Sequence, residues 1–104
     1  MKTIVLCSKK VKPRKNDKEI VLESTSFFKY ALENYPENLK GIEKILTVGR
    51  IIEKINLAEG SQSLELEDAE FDILKLSSDK VSFNPIMLHA PEILEAIKKA
   101  EKEG

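Results

Sequence analysis

LKGIEKILTVGRIIEKINLAEG, residues 39–60, is the longest and most apolar segment of the chain. Its aliphatic residues recur with the 3.6-residue period of an α-helix, and others widen the apolar face: Leu39, Ile42, Ile45, Leu46, Ile52 and Ile55, then Val48, Ile51 and Leu57. This pattern predicts a central helix over about residues 39–58, buried on more than one side. Asn38 is a candidate cap and Gly60 a candidate terminator. Gly49 inside the helix costs about 1 kcal/mol relative to alanine, which a close helix contact would explain.

Upstream of this helix, two short segments rich in β-branched residues predict strands. They are TIVLCS, Thr3–Ser8, and EIVLES, Glu19–Ser24. Pro13 in the polar segment between them cannot donate to a strand ladder, so we expect an antiparallel strand pair joined by a mobile loop over residues 9–18. A first helix follows, with Ser24, Thr25 or Ser26 as its cap, an apolar face of Phe27, Phe28, Ala31 and Leu32, and an end at Tyr35–Pro36.

Downstream, SLELED, residues 63–68, is interpreted as a short strand or an extended lead-in. Asp68 is the predicted cap of a short helix over residues 69–78, with Phe71 and Leu74 facing inward. KVSFNP, residues 80–85, is predicted to be extended, and IMLHA, residues 86–90, is left open between helix and strand. Pro91 is predicted to begin a final helix that runs to about Lys102, with Ile93, Leu94 and Ile97 inward. The prediction is an α+β fold in one domain, residues 1–104, with an N-terminal antiparallel strand pair and three to four helices.

Composition limits the class of protein. Apolar residues make up 41% of the 104, enough for one core without metals or disulfides. Cys7 is the single cysteine, so no internal disulfide can form, and its apolar surroundings favour a small buried side chain. The apolar run near the N-terminus is too short for a signal peptide or a membrane span. We therefore expect a cytoplasmic protein without membrane contact.

Charge is distributed unevenly along the chain. Residues 1–18 hold seven basic residues and one acid, whereas residues 59–72 hold six acids and no base. The candidate partner-binding residues are basic in the first segment and acidic in the second: Lys9, Lys10, Lys12, Arg14 and Lys15, then Glu65, Glu67, Asp68, Glu70 and Asp72. If the two sets lie on different faces, copies of the chain can meet head to tail, with charge steering the encounter. A protein partner, including a second copy, is the first hypothesis.

The alternative is a nucleic-acid-binding accessory module that uses the basic loop, residues 9–18. Its lysines and single arginine could neutralise phosphates without reading sequence. Against this, the loop has no aromatic residue for base stacking, and the isoelectric point is near 5.9 rather than strongly basic.

Residues that carry chemistry are few. His89 is the only histidine and lies between apolar neighbours, and Cys7 has no motif partner. One histidine and one cysteine exclude a structural zinc site in a monomer, and the four glycines are never adjacent, as a phosphate-binding loop would need. The acidic segment lacks the glycine and spacing of a calcium loop. We therefore predict no enzyme activity, metal, cofactor or small-molecule substrate.

Several segments carry a resemblance: MKTIVL, NLAEG, LELEDAEFDILK and NPIMLHAPEILEAIKKAE, in that order. Over about residues 40–102 the chain resembles small uncharacterised proteins encoded among tailed-phage and prophage genes. The resemblance implies a non-enzymatic virion, assembly or accessory role, with virion association if the gene belongs to a phage. It assigns no functional residue.

Overall fold

The computed structural model describes residues 1–12, 16, 18–34, 41–81 and 90–103. Strands and helices follow one another in a mixed order: β1 Lys2–Val5, β2 Ser8–Val11, β3 Ile20–Glu23, α1 Ser24–Asn34, α2 Gly41–Leu57, β4 Ser63–Leu66, α3 Asp68–Val81 and α4 Pro91–Glu103. The predicted α+β class is confirmed, with an N-terminal antiparallel strand pair and four helices in the described part of the chain.

The strands form two antiparallel pairs. β1 pairs with β4, with Lys2 opposite Leu66, and β2 pairs with β3, with Val11 opposite Ile20. The single strand predicted over Thr3–Ser8 is therefore wrong: its first part pairs with the SLEL segment, and a second strand begins at its last residue.

Leu6 and Cys7 explain this division. The Leu6 amide donates to the carbonyl oxygen of Gln62 at 2.9 Å, which continues the β1–β4 ladder. The next amide, that of Cys7, donates to Ser24 Oγ at 2.9 Å, and the Ser24 amide donates to the Cys7 carbonyl at 3.0 Å. Leu6 thus bonds to the residue before β4, Cys7 bonds to the residue after β3, and the chain passes from one strand pair to the other.

The basic loop predicted over residues 9–18 is shorter in the structure, because β2 begins just after the chain changes strand pairs at Cys7. Lys9 and Lys10 lie in β2, paired with Leu22 and Val21, rather than in a connection. Ser24 was a candidate cap for α1, but its buried hydroxyl bonds to Cys7 instead. Of the remaining loop, Pro13, Arg14 and Lys15 lie outside the described residues.

The core forms where the helices meet the β1–β4 pair. Helix α1 packs against α2 and α3, and α4 packs on β1. The fully buried side chains come from nearly every element, and the largest are Phe28, Phe71, Ile4, Leu32, Ile51, Ile55, Leu64, Leu66, Leu74 and Ile93. The inward faces predicted for the first, third and final helices are confirmed by Phe28, Leu32, Phe71, Leu74, Ile93 and Ile97.

Helix α2 is confirmed in position but not in burial. Ile51 and Ile55 are fully buried, whereas Ile42, Ile45, Leu46 and Leu57 are 77%, 72%, 60% and 78% exposed. The expectation of a helix buried on more than one side is wrong, because among the described elements α2 packs mainly on α1 and β4, and the side opposite Ile51 and Ile55 is exposed. Gly49 has no described close helix contact either, since a Cβ atom built on it meets nothing within 4 Å.

Helix α3 differs from its prediction at both ends. It continues to Val81, so Lys80 and Val81 are helical rather than extended. Asp68 is its first residue, and the preceding Glu67 holds the cap position, since the Phe71 amide donates to the Glu67 carbonyl at 2.8 Å. The predictions at Tyr35–Pro36, Asn38, Leu39 and residues 82–89, including His89, lie outside the described residues.

Candidate functional site

The described basic residues of the predicted contact set lie close to acids of the same chain. Lys9 Nζ is 3.1 Å from Glu92 Oε1 on α4, and Lys10 Nζ is 4.0 Å from Glu19 Oε1. A hydrogen bond from its own backbone amide and then the Lys9 ammonium lower the pKa of the Glu92 carboxyl. Lys12 is exposed. Part of the positive charge is thus balanced within the molecule.

The acidic residues of the set have different surroundings. Glu65 lies exposed on β4, opposite Thr3, and Asp72 lies exposed on α3. Asp68 Oδ1 is 3.5 Å from the N-terminal ammonium of Met1, with both groups largely exposed. Exposed pairs of this kind contribute about 0–1 kcal/mol, so these three carboxylates remain accessible to a partner.

Glu70 has an internal role. Its Oε1 accepts hydrogen bonds from Lys54 Nζ at 2.6 Å and from the Glu67 amide at 2.9 Å, and the residue is 8% exposed. Burial raises the pKa of Glu70, but the Lys54 ammonium and the Glu67 amide, with the charge of Arg50, outweigh it and lower the pKa below the ordinary value. The side chain caps α3 and ties it to α2, and little of it reaches the surface.

Among its described residues, the structure does not join the two charged sets into one site. The described basic residues lie on or beside β2, and the acids lie on β4 and α3, which belong to the other strand pair and the helix after it. No ion pair links the sets among the residues that the structure describes.

A cleft of about 310 Å³ lies where the chain changes sheets, between residues 6–8 and 59–61. Cys7 lines it, half-buried against the core, with its Sγ 3.4 Å from Ser24 Oγ. Glu23 and Glu59 also line it. A thiol nucleophile needs a base within hydrogen-bond reach, and the described residues place no histidine there. His89, the other predicted candidate, lies outside the described residues.

The largest anomaly of the surface is on α2. Ile42, Ile45 and Leu46 follow the spacing i, i+3, i+4 and therefore share one side of the first two turns, opposite the buried Ile51 and Ile55. We call these three residues the α2 stripe. Large aliphatic side chains exposed singly are ordinary, but three contiguous ones on a helix are typical of an interaction surface.

The surroundings of the α2 stripe are equally specific. Gly49 lies on the same side of α2, seven residues after Ile42. The position that its Cβ would occupy borders open space. Glu43 and Arg50 flank the stripe, both exposed, and neither forms an ion pair within the described ranges. The stripe is thus an apolar surface with a gap at one end and opposite charges beside it.

The wide aliphatic face of residues 39–58 already indicated this surface in the sequence, but it was interpreted as burial within the chain. The aliphatic residues of α2 extend around more of the helix than one packed face uses, because residues 42, 45 and 46 point away from residues 51 and 55. A surplus of this kind fits either a helix enclosed by its own chain or a helix that meets another chain. Only the packing distinguishes the two.

Comparisons with known proteins add no relative: no protein-family model, curated protein or solved structure matches the chain. Among the described helices, none combines the length and hydropathy needed to cross a membrane. The described residues also include no group of three or more histidine, cysteine, aspartate or glutamate side chains arranged to hold a metal ion.

Proposed function

We propose that this protein acts as a non-enzymatic interaction protein that binds another protein chain through the α2 stripe. The observation that carries the proposal is the 60–77% exposure of Ile42, Ile45 and Leu46 on one side of a folded helix. Burying a large aliphatic side chain contributes about 1.5–3 kcal/mol, so leaving three in water is costly unless a partner covers them.

The α2 stripe is also preorganised for binding. Its helix continues directly into the turns that hold Ile51 and Ile55 in the core. Because the backbone is already ordered, a partner meets a fixed row of side chains and the entropy cost of association falls. This is the geometry of helix-in-groove and helix-on-helix recognition, in which residues at i, i+3 and i+4 act as anchors.

The charged residues support this function as steering groups. Lys12, Glu65 and Asp72 are exposed and can influence the approach and orientation of a partner. The assembly or accessory role of phage or prophage type, implied by the resemblance over residues 40–102, is consistent with a small interaction protein and remains a prediction.

Nucleic-acid binding through residues 9–18 has less support. Lys9 and Lys10 lie on a strand and near Glu92 and Glu19, so phosphate contacts would compete with internal pairs. A gel shift with generic DNA and RNA in low salt checks this alternative, and binding that disappears when Lys10 and Lys12 are changed to serine would favour it over the proposed function.

A photo-crosslink tests the proposed function. A benzophenone amino acid replaces Leu46 in the full chain, which is expressed in the organism that encodes it and irradiated. The matched control carries the same amino acid in place of Leu76, an exposed leucine on α3. We expect a discrete protein adduct from position 46 and none from position 76. If position 46 gives no adduct, or both positions give the same ones, the α2 stripe is not a binding surface.

A further inference from the structure

We propose that the protein bound by the α2 stripe is a second copy of this chain, and that the two α2 helices cross antiparallel with Leu46 of each copy packed over Gly49 of the other. This inference rests on the proposed function and gives its partner. Three features of α2 carry it: the open space at Gly49, the charges beside the stripe, and the position of Glu53.

Gly49 is the first feature. Glycine is a poor helix former, and here, apart from its chain neighbours and the adjacent backbone of α2, nothing described lies within 4 Å of the place where its Cβ would be. Intrachain packing among the described residues therefore does not explain the residue. A bulky side chain from another helix would fill the space, and Leu46, one turn earlier on the same side, is 60% exposed and of suitable size. Antiparallel two-fold symmetry makes this contact twice.

The flanking charges are the second feature. In the antiparallel register that sets Leu46 over Gly49, Glu43 of each copy lies beside Arg50 of the other along one flank. On the other flank, Ile45 of each copy lies next to Ile52 of the other, and Ile52 is half-buried. Residues at these flanking positions set partner choice and orientation in paired helices. Charge complementarity occurs twice on one side, and aliphatic contact occurs twice on the other.

Glu53 excludes the parallel arrangement. It continues the same side of α2, four residues after Gly49, and is exposed. Parallel helices would place Glu53 opposite Glu53 and Gly49 opposite Gly49, which joins like charges and leaves the gap unfilled. In the antiparallel arrangement the two Glu53 side chains lie at opposite ends of the contact, near Ile42 of the other copy and open to water. The 17-residue helix, about 25 Å long, provides overlap for this contact.

Sedimentation velocity of the full chain over a range of concentrations tests the association. We expect a reversible dimer, and we expect Leu46→Glu to raise its dissociation constant by at least about a hundredfold, because it removes two buried leucines and introduces two charges. Leu76→Glu on α3 is the control and should leave the dissociation constant within about twofold. A chain that is monomeric at every concentration overturns the inference.

A charge exchange tests the orientation. Glu43→Arg and Arg50→Glu should each weaken the dimer by roughly tenfold, because each replaces two attractive pairs with two repulsive ones. The double variant restores both pairs and should return the dissociation constant to within about threefold of the original. A double variant as weak as the single ones overturns the antiparallel register, and circular dichroism of each variant checks that α2 still forms.

The photo-crosslink at position 46 separates the two proposals. An adduct with the mass of two copies supports both. An adduct with a different protein, together with a monomeric purified chain, overturns the self-pairing and leaves the interaction function in place. The absence of any adduct removes both.

Discussion

The two halves of α2 have similar side chains, but only the second half contributes fully buried ones. Ile51 and Ile55 in the second half are fully buried, whereas Ile42 and Ile45 in the first half are more than 70% exposed. The second half is also tied by charge, through Lys54 to Glu70 on α3 and through Asn56 to Lys29 on α1. The described residues give the first half no comparable contact.

This difference fits the proposed function, in which one helix serves both folding and association. Its second half packs in the core with Phe71, Leu74 and Leu64, and this packing fixes the orientation of the whole helix. Its first half is held in a helical conformation by continuity and presents aliphatic side chains outward. The buried half contributes to folding, and the exposed half is available for association.

The largest expected effect comes from truncating matched isoleucines in the two halves. Ile55→Ala should lower the free energy of unfolding by about 2–5 kcal/mol, because it removes a fully buried side chain and leaves a cavity. Ile45→Ala should change it by no more than about 0.5 kcal/mol, since 72% of that side chain is already exposed. Urea denaturation at a concentration where the chain is monomeric gives both values. Similar losses in the two variants would show that the first half of α2 is packed after all.

Glu70→Gln should destabilise the protein by about 1–2 kcal/mol at neutral pH, because it removes the charge that pairs with Lys54 while keeping an acceptor for the Glu67 amide. The pKa of Glu70 is lowered in the folded state, so the stability it contributes is present above the pKa of an unfolded glutamate and is lost as the pH falls through the folded value. Urea denaturation from neutral to acidic pH measures this. The gap between the two proteins should close on acidification; a gap that widens would mean that burial, not Lys54, dominates.

Gly49→Ala should have opposite effects on folding and association. Beyond the adjacent backbone of α2, the methyl group meets nothing described within 4 Å, so alanine should stabilise the monomer by roughly 0.5–1 kcal/mol through helix propensity. The same methyl group occupies the space assigned to Leu46 of a second copy and should weaken the dimer. Thermal denaturation of the dilute protein measures the change in monomer stability, and sedimentation of the concentrated protein measures the change in dimer affinity. A loss of stability in the dilute protein would show that the space beside Gly49 is not open.

Lys29→Ala should have the smallest effect, a loss of at most about 0.5 kcal/mol. Its Nζ donates to Asn56 Oδ1 at 3.0 Å and to Glu59 Oε1 at 2.7 Å, but both acceptors belong to exposed residues and water screens the pair. The loss should shrink further in 0.5 M salt, a concentration chosen to be well above physiological ionic strength. Denaturation at low and high salt measures it, and a salt-independent loss above about 1 kcal/mol would show that this end of α2 depends on the contact.

The helices were predictable because their information is local. The spacing of Phe28, Ala31 and Leu32, or of Ile93 and Ile97, specifies one apolar side over two or three turns, and Pro91 fixes where the last helix begins. The strand pairing was not predictable in the same way. TIVL and SLEL are separated by some sixty residues, and nothing within either segment states that they pair with each other.

For the candidate contact residues too, some properties follow from the local sequence and others only from long-range packing. The sequence by itself determined that the chain has these amphipathic helices, a basic N-terminal segment and an acidic segment near Glu65–Asp72, because composition and period are properties of neighbouring residues. Only the tertiary structure decided that Glu70 is an internal cap, that Lys9 and Lys10 lie on a strand, and that Ile42, Ile45 and Leu46 face water. Burial depends on what packs against a residue, and its neighbours in space come from distant parts of the chain.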